Sequence, residues 1–198
     1  NFPGADKLLE DNYFKLKLIF REEFMRAENK MKIEIVGGGP AGLYFALLMK
    51  KADPSHQIKI YEQNRNDDTF GFGVVFSAET LGHFRDYDAV SYDRIRETFA
   101  YWDDIVTYYK GEKIVTGGNG FCGMSRKDLL LLLQQCCIEV GVEMEFEREI
   151  TSLDQLDPEA DLIIGANGIN SWIRDQNADH FKPTFDWRPN KFVWLGST

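Results

Sequence analysis

Gly37, Gly39 and Gly42 stand in the spacing Gly-x-Gly-x-x-Gly, with Pro40 and Ala41 between the last two, and Glu62 follows at the end of the next apolar run. These residue types at these intervals suit the binding of a dinucleotide. Gly37 permits a tight turn off a strand. Gly39 lets the backbone approach a pyrophosphate with no Cβ in the way, and Gly42 lets the following helix pack close to the sheet. The free N–H groups at that helix N-terminus, with its partial positive charge, would hold the diphosphate. Glu62 falls where a carboxylate can accept hydrogen bonds from both ribose hydroxyls.

Glycine turns are common, so the weight lies in the elements around them. Met31–Val36 is a short β-type run that feeds straight into Gly37. A helix-period segment from Leu43 to Lys51 follows, and Ile58–Tyr61 is a second apolar strand that ends in the acid. Strand, glycine turn, helix, strand and carboxylate in register specify a dinucleotide site far better than the glycines alone.

The rest of the chain bounds the possibilities. Its 198 residues suffice for one good core, and 43% hydrophobic with 28% charged residues describes an ordinary globular protein. A net charge of −9 argues against a nucleic-acid surface. No apolar run approaches the roughly 18 residues of a membrane span, and no signal-peptide pattern is present. Cys122, Cys136 and Cys137 lack a C-x-x-C spacing and read as reduced thiols, which suits a cytoplasmic location. His56, His83 and His180 are scattered, so no metal site is expected.

Residues 1–30 read as an N-terminal extension with one helix, Lys7 to Arg26, and no assigned chemistry. Ser77 and Ser91 are candidate N-caps for short helices over 78–85 and 92–102. Phe70 to Phe76 carries two glycines among aromatics, which suggests a backbone passing close to something flat, or a flexible turn. Ile105–Tyr109 and Lys113–Thr116 read as a β-hairpin. Beyond the Gly120–Gly123 loop, Ser125 opens the clearest helix. Its Leu129, Leu132, Leu133, Cys136, Cys137 and Val140 form one buried stripe, and Gly141 ends it. Val142–Phe146 is the next strand, and Asp161–Ile164 is an apolar strand running into the turn Asn167-Gly168. Phe192–Leu195 is a last strand. Strands alternating with helices predict an α/β fold with a parallel, helix-covered sheet.

Arg126 stands in the first turn of the Leu-rich helix, where a cation opposes the helix dipole unless an anion lies nearby. Asn167-Gly168, with Asn170-Ser171-x-x-Arg174 beyond it, is a further turn of the kind that approaches a nucleotide. The order and spacing of these three blocks resemble the class A flavoprotein monooxygenases. More narrowly, four stretches resemble the anthraniloyl-CoA monooxygenase and salicylyl-CoA 5-hydroxylase group: Gly37–Phe45, Asp67–Ser77, Gly120–Gly123 with Arg126-Lys127, and Phe192–Gly196. The resemblance covers Met31 to the end.

That resemblance implies a Rossmann-like FAD-binding domain over 31–175. The hairpin 104–116 would belong to the substrate side, and 176–198 would begin a substrate-domain sheet. The amides around Pro40, with Gly37, Gly39 and Gly42, would hold the FAD pyrophosphate, and Glu62 would take the adenosine ribose with Gln63 beside it. Arg126 would lie along the ribityl–diphosphate portion, Gly73, Val74 and Val75 beside the isoalloxazine, and Asn167-Gly168 near the pyrophosphate.

The implied reaction is hydroxylation of an aromatic ring, on an aryl-CoA thioester, with NADH or NADPH and O₂. Alternatives are a flavin hydroxylase of a free aromatic amino acid or other aromatic metabolite, or a non-catalytic nucleotide-binding piece. Two departures stand out: Asn167 occupies a position usually held by Asp, and the segment between Phe146 and Asp161 is short. The family's later Gly-Asp motif has no counterpart, so the sequence reads as the first part of an enzyme, truncated at its C-terminus and inactive alone. Catalytic residues are not identifiable.

Overall fold

β1, Lys32–Val36, is buried along almost its whole length, as an interior strand covered on both faces must be. The computed structural model describes residues 30–118, 120–191 and 193. The helix expected over Lys7–Arg26 and most of the strand expected over Phe192–Leu195 lie outside the described residues. From β1 the chain passes through α1 (Pro40–Ala52) to β2 (Gln57–Tyr61). With β8 (Glu143–Glu145) and β9 (Leu162–Gly165) these strands make a four-stranded sheet in the order β8-β2-β1-β9, every pair parallel. β1 therefore has β2 on one side and β9 on the other. The direction of winding reverses there, and the carboxyl ends of such strands open a crevice suited to ligands.

The core lies between this sheet and two helices. Ile33, Ile35, Ile58 and Ile60 from the sheet meet Leu43, Ala46 and Leu47 of α1 and Leu129, Leu133 and Cys137 of α4 (Arg126–Glu139). α4 begins at Ser125, whose hydroxyl accepts the N–H of Asp128, and ends before Gly141 at φ +83°. The expected stripe is present but broader than the spacing suggests. Leu130 and Gln134 are also buried, and Leu132 and Val140 only half-buried. Gln134 is accommodated because its Nε2 donates to Asn66 O at 2.9 Å. Both vicinal cysteines pack inside. The Cys137 thiol donates to Leu43 O (3.2 Å), and burial pushes its pKa up to about 12, which keeps it protonated and inert.

One charge sits inside the sheet. Glu34 is 3% exposed, and its carboxylate accepts the Tyr61 hydroxyl at 2.9 Å and the Asp157 N–H at 2.8 Å. A buried carboxylate is tolerable only with such partners.

Four readings are corrected on the other side of α4. The Phe70–Phe76 stretch contributes a strand, β3 (Gly73–Ser77), and the Gly120–Gly123 loop is largely a strand too, β7 (Phe121–Ser125). Both join β4 (Ala100–Trp102) in an antiparallel sheet of order β3-β7-β4. The helix expected over 92–102 is instead α3, Ala89–Arg96, following α2 at Ala78–Tyr87. Ser77 caps α2 as anticipated, but Asp88, not Ser91, caps α3. Asp88 accepts both the N–H (3.2 Å) and the hydroxyl (2.6 Å) of Ser91, so the serine becomes a buried donor of the first turn. The chain leaves the helix because Ala100–Trp102 pair with Phe121–Gly123. Phe99 joins Phe76 and Tyr101 in an aromatic cluster there.

β5 (Ile105–Tyr109) and β6 (Glu112–Thr116) form the expected hairpin, with Lys110 and Gly111 both at positive φ in the turn. All ten of its strand residues are exposed. Elsewhere the Tyr44 hydroxyl of α1 is buried with no hydrogen-bond partner among the described residues. Burial, with Asp88 and Tyr87 nearby, pushes its pKa up to about 12. Tyr44→Phe removes an orphaned donor while keeping the ring packed at 4.6 Å from Phe84. It should raise unfolding stability by about 1 kcal/mol in urea titrations.

Candidate dinucleotide-binding site

The turn between β1 and α1 is built by contacts that exclude side chains. Gly37 has φ +113°, and a Cβ on it would lie 2.4 Å from Ala166 O. A Cβ on Gly42 would lie 2.1 Å from Gly37 O. Gly42 thus lets the first helical turn fold back onto the glycine loop as well as approach the sheet. Gly39 differs: nothing lies within 4 Å of its Cβ position, so its face is open. It is the N-cap of α1, Pro40 takes the first helical position, and no acidic residue occupies the first turn. The helix-terminal amides are therefore left for an anion.

Glu62 comes to this turn from β2. Its Oε2 accepts the Gly38 N–H at 2.8 Å, and its Oε1 accepts the Asn64 N–H at 2.9 Å and Asn64 Nδ2 at 2.7 Å. The third contributor is the turn after β9. The Cβ position of Gly37 is 2.8 Å from Asn167 N, so the two glycine turns touch, and Gly168 completes the second at φ +81°.

A cavity of about 700 Å³ opens where these three segments meet, at the carboxyl ends of β1, β2 and β9. Gly37, Gly39, Glu62, Gln63, Asn167 and Gly168 all line it. Tyr61, Ile150 and Trp172 form an apolar wall, with the Trp172 indole fixed by donating to Ile150 O at 2.8 Å. Asn167 Oδ1 is buried without a hydrogen-bond partner among the described residues, an acceptor that a ligand hydroxyl could satisfy. A smaller cavity of about 80 Å³ adjoins Gly38, Gly39 and Glu62, and Arg126 enters it from α4. Arg126 Nε donates to Thr69 Oγ1 at 3.1 Å, which ties its side chain to the loop that closes this cavity.

The remaining candidates sit elsewhere. Pro40, Ala41 and Gly42 form the first turn of α1 and line neither cavity; Ala41 is exposed and Gly42 buried. Gly73, Val74 and Val75 lie on β3 and line neither of these cavities; Val74 packs toward the core and Val75 is exposed. Two contributors are absent from the sequence reading. Gly38 must also be glycine, because a Cβ there would lie 2.9 Å from Glu62 Cβ. Asn64 grips the carboxylate, and an Asn two residues past a strand-ending acid is the one signal that could have shown it.

No family model matches the chain. Its fold is that of flavin-dependent monooxygenases. The structure of PieE, described as such an enzyme in complex with FAD and substrate, matches with a TM-score of 0.60 and 21% identity, over 75% of this chain and 32% of that one. In sequence the chain is 41% identical over 168 residues to salicyloyl-CoA 5-hydroxylase of a Streptomyces species, covering 85% of this chain and 32% of the relative. It is 28% identical over 167 residues to 3-hydroxy-4-methyl-anthranilyl-[aryl-carrier protein] 5-monooxygenase of Streptosporangium sibiricum, covering 84% and 46%. The chain thus spans less than half the length of these relatives. It is related in fold and sequence to the class A FAD-dependent aromatic monooxygenases and, over part of their length, to the group that includes salicyloyl-CoA 5-hydroxylase.

Proposed function

We propose that the chain forms the FAD-binding part of an enzyme that hydroxylates an aromatic ring carried as an aryl-CoA thioester, with NADH or NADPH and O₂ as co-substrates. The observation that carries this reading is the convergence of the glycine turn, Glu62 and the Asn167-Gly168 turn on one cavity. The residues fit the cofactor. The open N-terminus of α1 and the bare face of Gly39 suit its diphosphate, and Glu62 suits a ribose. Arg126 supplies a cation beside the same loop, and the unpartnered Asn167 oxygen offers an acceptor.

When bound, FAD supplies the redox chemistry, passing electrons from the nicotinamide to O₂ and an oxygen atom to the ring. This chain's residues bind and orient it, and the apolar wall of Tyr61, Ile150 and Trp172 keeps water from its adenosine end. We assign residues 31–175 to the FAD-binding domain, the exposed hairpin to the substrate side, and 176–198 to the start of a substrate domain. Among the described residues no helix is long and apolar enough to cross a membrane, and a cytoplasmic location fits the reading. The thioester rests on the two relatives above, whose names specify substrates held on CoA or on a carrier protein.

Two measurements test the proposal. FAD titrated into the chain should quench and bind with a defined midpoint. Glu62→Ala should weaken that binding about tenfold or more while leaving the circular dichroism spectrum unchanged. In the enzyme with its full complement of domains, NADH oxidation should be stimulated by an aryl-CoA and not by the free acid. A protein that neither binds FAD nor turns yellow would refute the reading; stimulation by the free acid alone would refute the thioester.

A further inference from the structure

Three of the lone-pair positions on Glu62 are already occupied. A carboxylate offers about four, two on each oxygen. Oε2 uses one for the Gly38 N–H, and Oε1 uses both of its own for Asn64, one for the backbone N–H and one for Nδ2. The backbone beneath this arrangement is pinned. Glu62 N–H donates to Glu145 O (2.9 Å), Arg148 N–H donates to Glu62 O (2.9 Å), and Glu147 N–H donates to Asn64 O (3.1 Å). The acid and the amide that grips it are therefore both anchored to the end of β8 and the residues that follow it. On the other side the Gly38 N–H holds Oε2 at 2.8 Å, so each carboxylate oxygen has a donor of its own.

We infer that Asn64 determines how the site reads a ribose. By filling Oε1 it leaves Glu62 one acceptor position, on Oε2, so Glu62 recognises a single ribose hydroxyl and not the pair. The inference rests on the nucleotide reading given above and narrows it. Asn64 is a positioning residue: it acts on the ligand through Glu62.

Isothermal titration of the 198-residue chain with ADP, 2′-deoxy-ADP and 3′-deoxy-ADP tests this. Loss of one hydroxyl should weaken binding about tenfold, as removal of a hydrogen bond to a charged group does, and loss of the other by less than about threefold. In Asn64→Ala the residue 64 N–H still holds one position on Oε1 and the other is released, so both deoxy analogues should lose about tenfold. Equal losses for the two analogues on the wild-type chain would overturn the inference, as would an Asn64→Ala chain that keeps the wild-type ratio. The wild-type comparison stands even if the variant does not fold, which circular dichroism reports. A chain that binds ADP but fails the ratio test loses only this inference; one that binds none of the three loses the nucleotide reading as well.

Discussion

Gly37→Ala should lower the stability of the chain by about 3 kcal/mol and abolish nucleotide binding, whereas Gly39→Ala should abolish binding and leave stability unchanged. The two residues share one motif but are glycine for different reasons. At Gly37 the backbone sits at φ +113° and a methyl group would meet Ala166 O at 2.4 Å, a backbone atom of β9's turn that cannot swing aside. Strain and overlap add, and relief requires β1 and β9 to separate at their carboxyl ends. At Gly39 φ is −72°, which any residue adopts, and a methyl group would meet no protein atom. It would project into the open space at the helix N-terminus, where the proposed diphosphate would come against the amides. Gly42→Ala belongs with Gly37. Alanine gains about 1 kcal/mol in helix propensity over glycine, but a Cβ 2.1 Å from Gly37 O outweighs that. Thermal unfolding and ADP titration of the three variants separate the cases. A stable Gly37→Ala chain, or a Gly39→Ala chain that binds ADP as wild type does, would contradict this division.

Asp88→Ala should cost about 3 kcal/mol, through two roles lost together. Asp88 caps α3 through Ser91, and its two oxygens each lie 2.7 Å from Lys51 Nζ, joining α1 to the start of α3. The Asp88 side chain is 3% exposed and that of Lys51 is 32% exposed. Removing the acid leaves the buried Ser91 hydroxyl only the weak acceptor Cys136 Sγ at 3.7 Å, though the lysine can still turn to water, which limits the loss. Asp88→Asn keeps the cap and loses the charge, so its cost should be about half as large. Burial pushes the Asp88 pKa up, but the Lys51 ammonium and the Ser91 donors outweigh it and hold the carboxyl below its ordinary 3.8. A carboxyl depressed in the folded state stabilises above its unfolded value and loses that contribution as pH falls through the folded one. The gap in stability between wild type and Asp88→Ala should therefore be full at neutral pH and shrink below pH 3.8. Urea unfolding of both chains across pH 2.5 to 7 measures it, and a gap that widens in acid would disprove the assignment.

What could be read from residue order and what could not divide along a physical line. The unit from β1 to Glu62 was legible because each part is local: an apolar run, three glycines at fixed intervals, a helical period and an acid at the end of a strand. The Leu-rich helix was legible for the same reason. Its excess burial at Leu130 and Gln134 was not, because that face is covered by the 64–70 loop from a distant part of the chain. Phe121–Ser125 carries no strand pattern of its own; it is a strand because β3 and β4 pair with it on both sides. Ser91 reads as the cap of a helix over 92–102, but the helix begins three residues earlier, at Ala89. Asp88 therefore takes the cap position and accepts the Ser91 N–H, and Lys51 of α1 pairs with the same carboxylate. Asn64 resembled any polar loop residue, and only its distance to Glu62 gives it a role.

The contact between Gly38 and Glu62 has a consequence for how such chains can vary. The second position of the glycine motif is nominally free to carry any side chain, yet here a methyl group would push against the acid twenty-four places later. A side chain at 38 would first meet the Cβ of residue 62, which every residue but glycine carries, so trading the acid for another side chain would not make room; the two backbones would have to move apart.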